Sequence, residues 1–150
     1  MGELQPRPAT AGDVPGIARC VEAAYTPYIE RIGEPPGPML DDYRQIVRDH
    51  RVFVIESGGG IVGAIVLKEE RGSILLDNVA VLPSRHGEGI GRRLMLHAEE
   101  EARRLGYASI DLYTHELMVE NFALYARNGY EEVERRIERG FPRIYMRKRL

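Results

Sequence analysis

The sequence contains a single cysteine, Cys20, no tryptophan, and no hydrophobic run as long as a transmembrane helix requires. One cysteine excludes an intramolecular disulfide and a cysteine-based zinc site. The four histidines lie too far apart for metal-ligand spacing, so we expect no metal. Neither end resembles a signal peptide, which predicts a cytoplasmic location without membrane association.

The chain also lacks an excess of basic residues. It carries 21 Lys and Arg against 23 Asp and Glu, a formal net charge of −2. Proteins that bind phosphate backbones normally show a basic excess, so we expect no nucleic-acid partner. With 150 residues, 43% of them hydrophobic, the composition predicts one globular domain spanning residues 1–150.

The first third predicts two helices around a loop. Thr10 and Asp13 form a capping-box-like pattern before an apolar stripe that begins at Ile17, and the helix is expected to end near Tyr28. Residues 31–39, RIGEPPGPM, are too rich in Pro and Gly for regular structure and predict a loop that lines a substrate mouth. A short helix is expected to start at Asp41 or Asp42.

The rest of the chain predicts strands and two more helices. Residues 51–57, 60–70 and 73–82 are β-branched runs separated by glycine turns, which is typical of an antiparallel meander. Apolar residues then recur at helical spacing from Ile90 to Leu105, before Gly106. Further strands are predicted over residues 108–115, 130–138 and 142–150, with a short helix over 120–129.

Residues 85–95, RHGEGIGRRLM, therefore lie between a strand and a helix, where free amides and the helix dipole favour an anion. The segment is neither a Walker A loop, because Arg92 and Arg93 replace its Lys-Ser or Lys-Thr, nor a Gly-x-Gly-x-x-Gly fingerprint. Two arginines in a first helical turn cost about 0.3–1 kcal/mol each. A bound anion would remove that cost, although solvated surface arginines are the alternative.

Asn121 and Tyr125 lie one helical turn apart, on the same face of the predicted short helix. Such a pair can project into a site. Alternatively, Asn121 caps the helix and Tyr125 is a core aromatic residue.

Two segments together resemble motifs of the GCN5-related N-acetyltransferase (GNAT) family, over roughly residues 73–132. The first, VAVLPSRHGEGIGRRLM, resembles the acyl-CoA-binding motif, and the second, ENFALYARNGYEE, resembles the motif beside the thiol of the cofactor. The resemblance implies an α/β (α+β) fold with a mixed, mostly antiparallel sheet of six to seven strands and about four helices. It also implies acetyl-CoA as cosubstrate, no metal, and an amine as acceptor.

The resemblance assigns cofactor-binding roles to residues of both motifs. The backbone of the strand end would pair with the pantetheine arm, amides of the glycine segment would hold the pyrophosphate, Asn121 would bind the cofactor arm, and Tyr125 would protonate the leaving thiolate. His86 and Glu88 depart from the family pattern, and Glu88 would repel a nearby pyrophosphate. The full predicted set is Val79, Ala80, Val81, His86, Gly87, Glu88, Gly89, Ile90, Gly91, Arg92, Asn121 and Tyr125.

More than one residue could act as the general base, and several could bind the acceptor. Asp77, on the same face as Val79 by strand alternation, and His115 are both candidates for the base; the alternatives are a structural acceptor and a polar strand terminus. Tyr25 and Tyr28 are candidates for substrate contact. Arg31 and Arg143 could pair with a substrate carboxylate, or be ordinary surface charges.

We therefore expect acetyl transfer to the primary amine of a small molecule, by direct attack through a tetrahedral intermediate. The alternatives are a protein N-terminal or lysine acetyltransferase, and a non-catalytic acyl-CoA-binding module. The family resemblance also allows a homodimer.

Overall fold

One mixed sheet of seven strands organises the molecule, for which the computed structural model describes residues 4–150. The strand order is β1-β2-β3-β4-β5-β7-β6, and every neighbouring pair is antiparallel except β4 and β5. This confirms the expected fold class. The strands are β1 (Arg7–Pro8), β2 (Arg51–Ser57), β3 (Gly60–Glu70), β4 (Ser73–Val81), β5 (Ser109–His115), β6 (Glu131–Glu138) and β7 (Phe141–Arg149); the helices are α1 (Val14–Ile32), α2 (Tyr43–Asp49), α3 (Ile90–Arg104) and α4 (Val119–Arg127).

The helices cover the two faces of the sheet in pairs. Side chains of α1 and α2, such as Ile17 and Ile46, form one buried cluster with Val66 of β3. Side chains of α3 and α4, such as Leu94 and Tyr125, form the other cluster. Each helix thus buries an apolar stripe that its sequence shows at a period of 3.6 residues. Within residues 4–150, no helix combines the length and hydropathy needed to cross a bilayer.

Helix α1 begins as predicted but ends later. The Asp13 carboxylate accepts a hydrogen bond of 2.8 Å from the Thr10 amide, and a short 3-10 turn leads into the helix. The predicted end near Tyr28 was wrong, because the helix accommodates Pro27 and continues to Ile32. It stops at Gly33, whose φ of 95° is a conformation that glycine adopts readily.

The predicted meander and second helix are confirmed. Strands β2, β3 and β4 pair in sequence order, with the first turn at Gly58 and Gly59. Asp42 caps α2 by accepting a hydrogen bond from the Arg44 amide at 3.1 Å. Strand β1 was not predicted, because two residues that include a proline carry no strand periodicity.

A β-bulge at Asp77 alters the face that this residue occupies. Val66 pairs with Asn78 and Leu67 pairs with Leu76, so Asp77 is the extra residue of β4. Its side chain lies beside that of Asn78, 3.4 Å from the amide nitrogen, whereas Val79 belongs to the cluster on the opposite face. The prediction that Asp77 and Val79 share a face was therefore wrong.

Strands β4 and β5 diverge and leave a gap in the sheet. Within residues 4–150 they pair at one position, Leu75 with Asp111. Beyond that pair, β5 continues with β7 as far as His115 and Arg143. Within the described residues, the end of β4 therefore has no strand neighbour on this side, and its edge is open to a ligand, although the Val79 carbonyl accepts a hydrogen bond from Tyr25.

The N-terminus of α3 is held close to the sheet by Gly63. A Cβ atom at this position would lie 2.6 Å from Ile90 Cγ2 and 3.0 Å from Leu94 Cδ1. Only glycine allows the first turn of α3 to pack this closely on β3. The packing fixes the segment between β4 and α3 at the gap.

Candidate active site

A cavity of about 610 Å3 opens between the end of β4, the start of α3 and helix α4; we call it the glycine-loop cavity. Nine of the residues predicted to bind the cofactor line it. They are Val79, Val81, His86, Gly87, Gly89, Ile90, Gly91, Arg92 and Asn121.

The backbone of the glycine segment suits an anion. Gly87 and Gly89 have φ values of 88° and 79°, and a Cβ atom at either position would meet nothing within 4 Å. The first hydrogen bond of α3 runs from the Arg93 amide to the Gly89 carbonyl, at 3.0 Å. The preceding amides of the first turn are therefore free of helical partners, as a pyrophosphate site requires.

Glu88 is paired with an arginine of the same segment. The Arg85 guanidinium donates two hydrogen bonds to the Glu88 carboxylate, at 2.7 and 2.8 Å, and a third to Ser57 Oγ at 3.2 Å. Hydrogen bonding from Arg85 lowers the pKa of Glu88. Arg85 lines the cavity, so Glu88 partly neutralises a cation that faces the predicted pyrophosphate site.

We expect Glu88→Gln to tighten acetyl-CoA binding by about two- to fivefold, because it removes a like charge and releases Arg85. Calorimetric titration measures the effect, and it should shrink in about 0.5 M salt as exposed charges are screened. Glu100→Gln, an exposed change on α3, is the matched control. Unchanged or weaker binding by the Glu88 variant would show that Glu88 does not oppose the ligand.

A second cavity, of about 380 Å3, lies on the other side of the gap, and we call it the strand-end cavity. The Pro-rich segment forms one wall, as the sequence predicted. The lining comprises Tyr25, Ile32, Glu34, Pro35, Pro36, Gly37, Pro38, Leu40, Asp41, Lys68, Asp77, Tyr113, Thr114, His115, Met118, Asn121, Tyr125, Phe141 and Arg143.

Tyr25 and Asn121 line both cavities and so mark where they meet. The Tyr25 hydroxyl donates to the Val79 carbonyl at 3.2 Å, and burial raises the pKa of Tyr25 well above its usual value. Tyr125 packs edge-on against Tyr130, with ring centroids 6.0 Å apart. Burial, aided by the charge of Asp77, raises the pKa of Tyr125, so its phenol is protonated at neutral pH.

The two candidate bases both line the strand-end cavity, in different surroundings. Asp77 pairs with Lys68 at 3.4 Å, and the side chains of both are largely buried. His115 Nδ1 accepts a hydrogen bond of 3.0 Å from the Leu117 amide, and burial lowers the pKa of His115. Burial and the charge of Asp77 raise the pKa of the neighbouring Asp41.

The two arginines predicted to bind substrate lie in different places. Arg143 lines the strand-end cavity, where it stacks on Tyr113 at 4.3 Å and pairs with Glu138 at 3.2 Å. Arg31 lies on the surface and pairs with Glu120 at 2.7 Å. Its guanidinium also covers the ring of Tyr28, which lines the glycine-loop cavity.

Ala80, Glu88 and Tyr125 belong to the predicted cofactor-binding set but do not line the glycine-loop cavity. Tyr125 lines the strand-end cavity instead. The Ala80 side chain packs with the α1 cluster, away from the glycine-loop cavity. Glu88 turns toward Arg85, as described above.

Sequence reasoning missed several residues of both cavities. Leu124 and Asn128 follow Asn121 at helical spacing, so the pattern that identified Asn121 could have found them. Asp41, Lys68 and Thr114 come together only through the fold, and no local pattern marks them. Within residues 4–150 there is no group of three His, Cys, Asp or Glu side chains that could hold a metal ion.

Sequence comparison identifies relatives with a common activity. A family model described as an acetyltransferase (GNAT) domain matches residues 48–132. The uncharacterized N-acetyltransferase YjgM of Escherichia coli K12 is 31% identical over 137 residues, which cover 85% of this chain and 82% of that protein.

Structural comparison finds the same fold in proteins with coenzyme A ligands. The PaiA N-acetyltransferase of Thermoplasma acidophilum, in complex with coenzyme A, matches with a TM-score of 0.81 at 17% identity, covering 97% of this chain and 98% of that one. A GNAT family acetyltransferase of Elizabethkingia anophelis with acetyl-CoA bound matches with a TM-score of 0.70 at 20% identity, covering 97% of each chain.

Proposed function

Because this chain belongs to the GNAT family of acetyl-CoA-dependent N-acetyltransferases, we propose that it acetylates the primary amine of a small molecule. The observation that carries the proposal is the strand-end cavity of about 380 Å3, which joins the glycine-loop cavity at Tyr25 and Asn121. In this proposal residues 1–150 form one catalytic domain, since both cavities draw on distant parts of the chain.

The glycine-loop cavity fits the cofactor. Amides at the start of α3 would hold the pyrophosphate, the free edge of β4 at Val79 and Val81 would pair with the pantetheine arm, and Asn121 would bind that arm at the junction. Acetyl-CoA supplies the thioester carbonyl that the amine attacks and the thiolate that leaves.

Tyr125 is the proposed general acid. It lines the strand-end cavity close in sequence to the junction residue Asn121. The sulfur leaves more easily if an acid protonates it as its bond to carbon breaks, because a simple thiol has a pKa of about 8.5 and its thiolate is basic. Because burial raises its pKa, the Tyr125 phenol keeps its proton until it is needed.

Asp77 is the proposed general base. Attack requires the neutral amine, whose conjugate acid has a pKa of about 10.4 in water, so a carboxylate that faces the cavity can accept the proton. Hydrogen bonding favours Asp77 over His115. Since His115 Nδ1 accepts the Leu117 amide, neutral His115 carries its proton on Nε2 and can only donate there.

We expect Asp77→Asn to lower kcat/KM for the acceptor by about a hundredfold, within the range for loss of a general base. Acetyl-CoA binding should be unchanged, because Asp77 lies outside the glycine-loop cavity. The comparison variant is His115→Asn, whose side-chain oxygen can still accept the Leu117 amide, and its kcat/KM should stay within about threefold. Initial rates at varied amine concentration measure both effects. A larger loss of kcat/KM in His115→Asn than in Asp77→Asn would assign the general base to His115.

The cavity charges favour a small ammonium compound. Glu34 and Asp41 attract a cation, while Asp77 is already paired with Lys68, and Arg143 can bind a carboxylate at the other end of an acceptor. Tyr25 contributes the polar wall at the junction. A cavity of about 380 Å3 holds a compact ligand better than it holds a folded protein segment.

The deciding experiment has two parts. Acetyl-CoA and dephospho-CoA are titrated into the protein to measure binding. Thiol release from acetyl-CoA is then measured with four acceptors: n-butylamine, putrescine, glycine and an unblocked hexapeptide. Micromolar binding of acetyl-CoA with release for one of the small amines supports the proposal. Release with the peptide alone would assign a protein acetyltransferase. Binding without release for any acceptor would favour an acyl-CoA-binding module, and no binding would contradict the cofactor site.

A further inference from the structure

Thr114 has a buried hydroxyl group without a hydrogen-bond partner. It lies near the end of β5, is 5% exposed, and lines the strand-end cavity. Its Oγ1 meets no donor or acceptor within residues 4–150. A buried polar atom is normally hydrogen-bonded, so one without a partner beside a cavity points to a ligand group that completes it.

The orientation of Thr114 relates this hydroxyl to the reaction centre. Thr114 pairs across strands with Ile144, which belongs to the same buried cluster as Tyr125. Its neighbours Tyr113 and His115 point to the opposite face by alternation, as does Arg143, the cross-strand partner of His115. Thr114 therefore faces the same side of the sheet as the proposed acid.

An apolar residue would suit this position better if only packing mattered. Ile144, the cross-strand neighbour of Thr114, and Leu112, two residues earlier on the same face of β5, are both buried and apolar. Valine has nearly the same shape as threonine and would leave no polar atom unpaired. We therefore expect the hydroxyl to destabilise the unliganded protein, which is common where a residue serves binding.

We propose that Thr114 is an acceptor-binding residue whose Oγ accepts a hydrogen bond from an N–H of the amine. The bond holds the amine in the strand-end cavity, which the carboxylate of the proposed base Asp77 also lines. The inference rests on the proposed function, because it names a residue that recognises the acceptor of that same reaction. A site with a hydroxyl that pairs only with the correct ligand also discriminates against amines that cannot reach it.

The test compares Thr114→Val with Thr114→Ser, using the small amine from the panel that releases most thiol. In the valine variant we expect KM for the amine to rise about tenfold, kcat to change less, and the Kd of acetyl-CoA to stay the same. Serine keeps the hydroxyl, so KM should return to within about twofold of the natural protein. Without ligands, the valine variant should unfold at the same or a higher temperature, because it removes an unpaired polar atom.

An unchanged KM in Thr114→Val, or a raised KM that serine does not restore, would overturn the inference and leave the proposed function intact. A clear fall in the unfolding temperature of Thr114→Val would also overturn it, since that result means the hydroxyl has a partner within the protein. If the natural protein releases no thiol with any small amine, the proposed function fails, and this inference fails with it.

Discussion

Replacing Tyr125 with phenylalanine is expected to lower kcat by about a hundredfold or more and to change the Kd of acetyl-CoA by less than about twofold. The variant loses one hydroxyl, and the loss of a positioned acid typically costs about 10²–10⁴ in rate. The aromatic ring remains, so its packing against Tyr130 should persist. Thiol release at saturating amine, together with titration of acetyl-CoA, separates turnover from binding.

Tyr130→Phe is the matched control. Tyr130 is equally buried and contacts Tyr125, but its hydroxyl is enclosed and unpaired within the described residues, outside the lining of either cavity. Its loss should leave kcat within about twofold, because it removes no group from the site. If Tyr125→Phe keeps full turnover, or if both variants lose turnover equally, Tyr125 is not the acid.

The pH profile provides a second test of the same assignment. Tyr125 acts in its protonated form, and burial raises its pKa, so deprotonation should begin at a higher pH than for a free tyrosine, whose pKa is about 10. Turnover of the natural protein should therefore not fall between about pH 7 and 9 through loss of this proton. A decline in kcat over that interval, absent from Tyr125→Phe, would contradict the raised pKa.

Local patterns in the sequence predicted most of the fold. The helix from Ile90 and the strands from Arg51 to Val81 carry strong periodicity, and their packing agrees with it. The errors arose where tertiary structure overrides a local pattern. Helix α1 was expected to end near Tyr28, yet it buries Tyr28, accommodates Pro27 and stops only at Gly33. The bulge at Asp77 depends on the pairing of β4 with β3 and could not be inferred from β4 alone.

The two cavities differ in how far the sequence predicted them. The glycine-loop cavity was anticipated because its central part, from His86 to Arg92, is one continuous segment whose glycines have a local physical meaning. The strand-end cavity combines Glu34, Lys68, Thr114 and Phe141, which are far apart in the chain. Their meeting depends on the divergence of β4 from β5, and neither strand shows it by itself.

The largest effect on cofactor binding is expected from Gly89→Val. Gly89 caps α3 with φ of 79° and ψ of 15°, a left-handed conformation that is strained for a β-branched residue. To relieve that strain, the backbone must leave this conformation and turn the following amides away from the glycine-loop cavity. We expect the Kd of acetyl-CoA to rise at least tenfold, measured by titration, and the free energy of unfolding to fall by about 1–2 kcal/mol.

Gly72→Val separates the loss of stability from the loss of binding. Gly72 has the same φ of 79° and lies in the turn between β3 and β4, where an added Cβ atom would meet nothing within 4 Å. Its replacement should therefore destabilise the protein to a similar degree while leaving the Kd unchanged. Equal affinity losses in both variants would mean that global destabilisation explains them. A normal Kd in Gly89→Val would show that amides at the start of α3 do not hold the pyrophosphate.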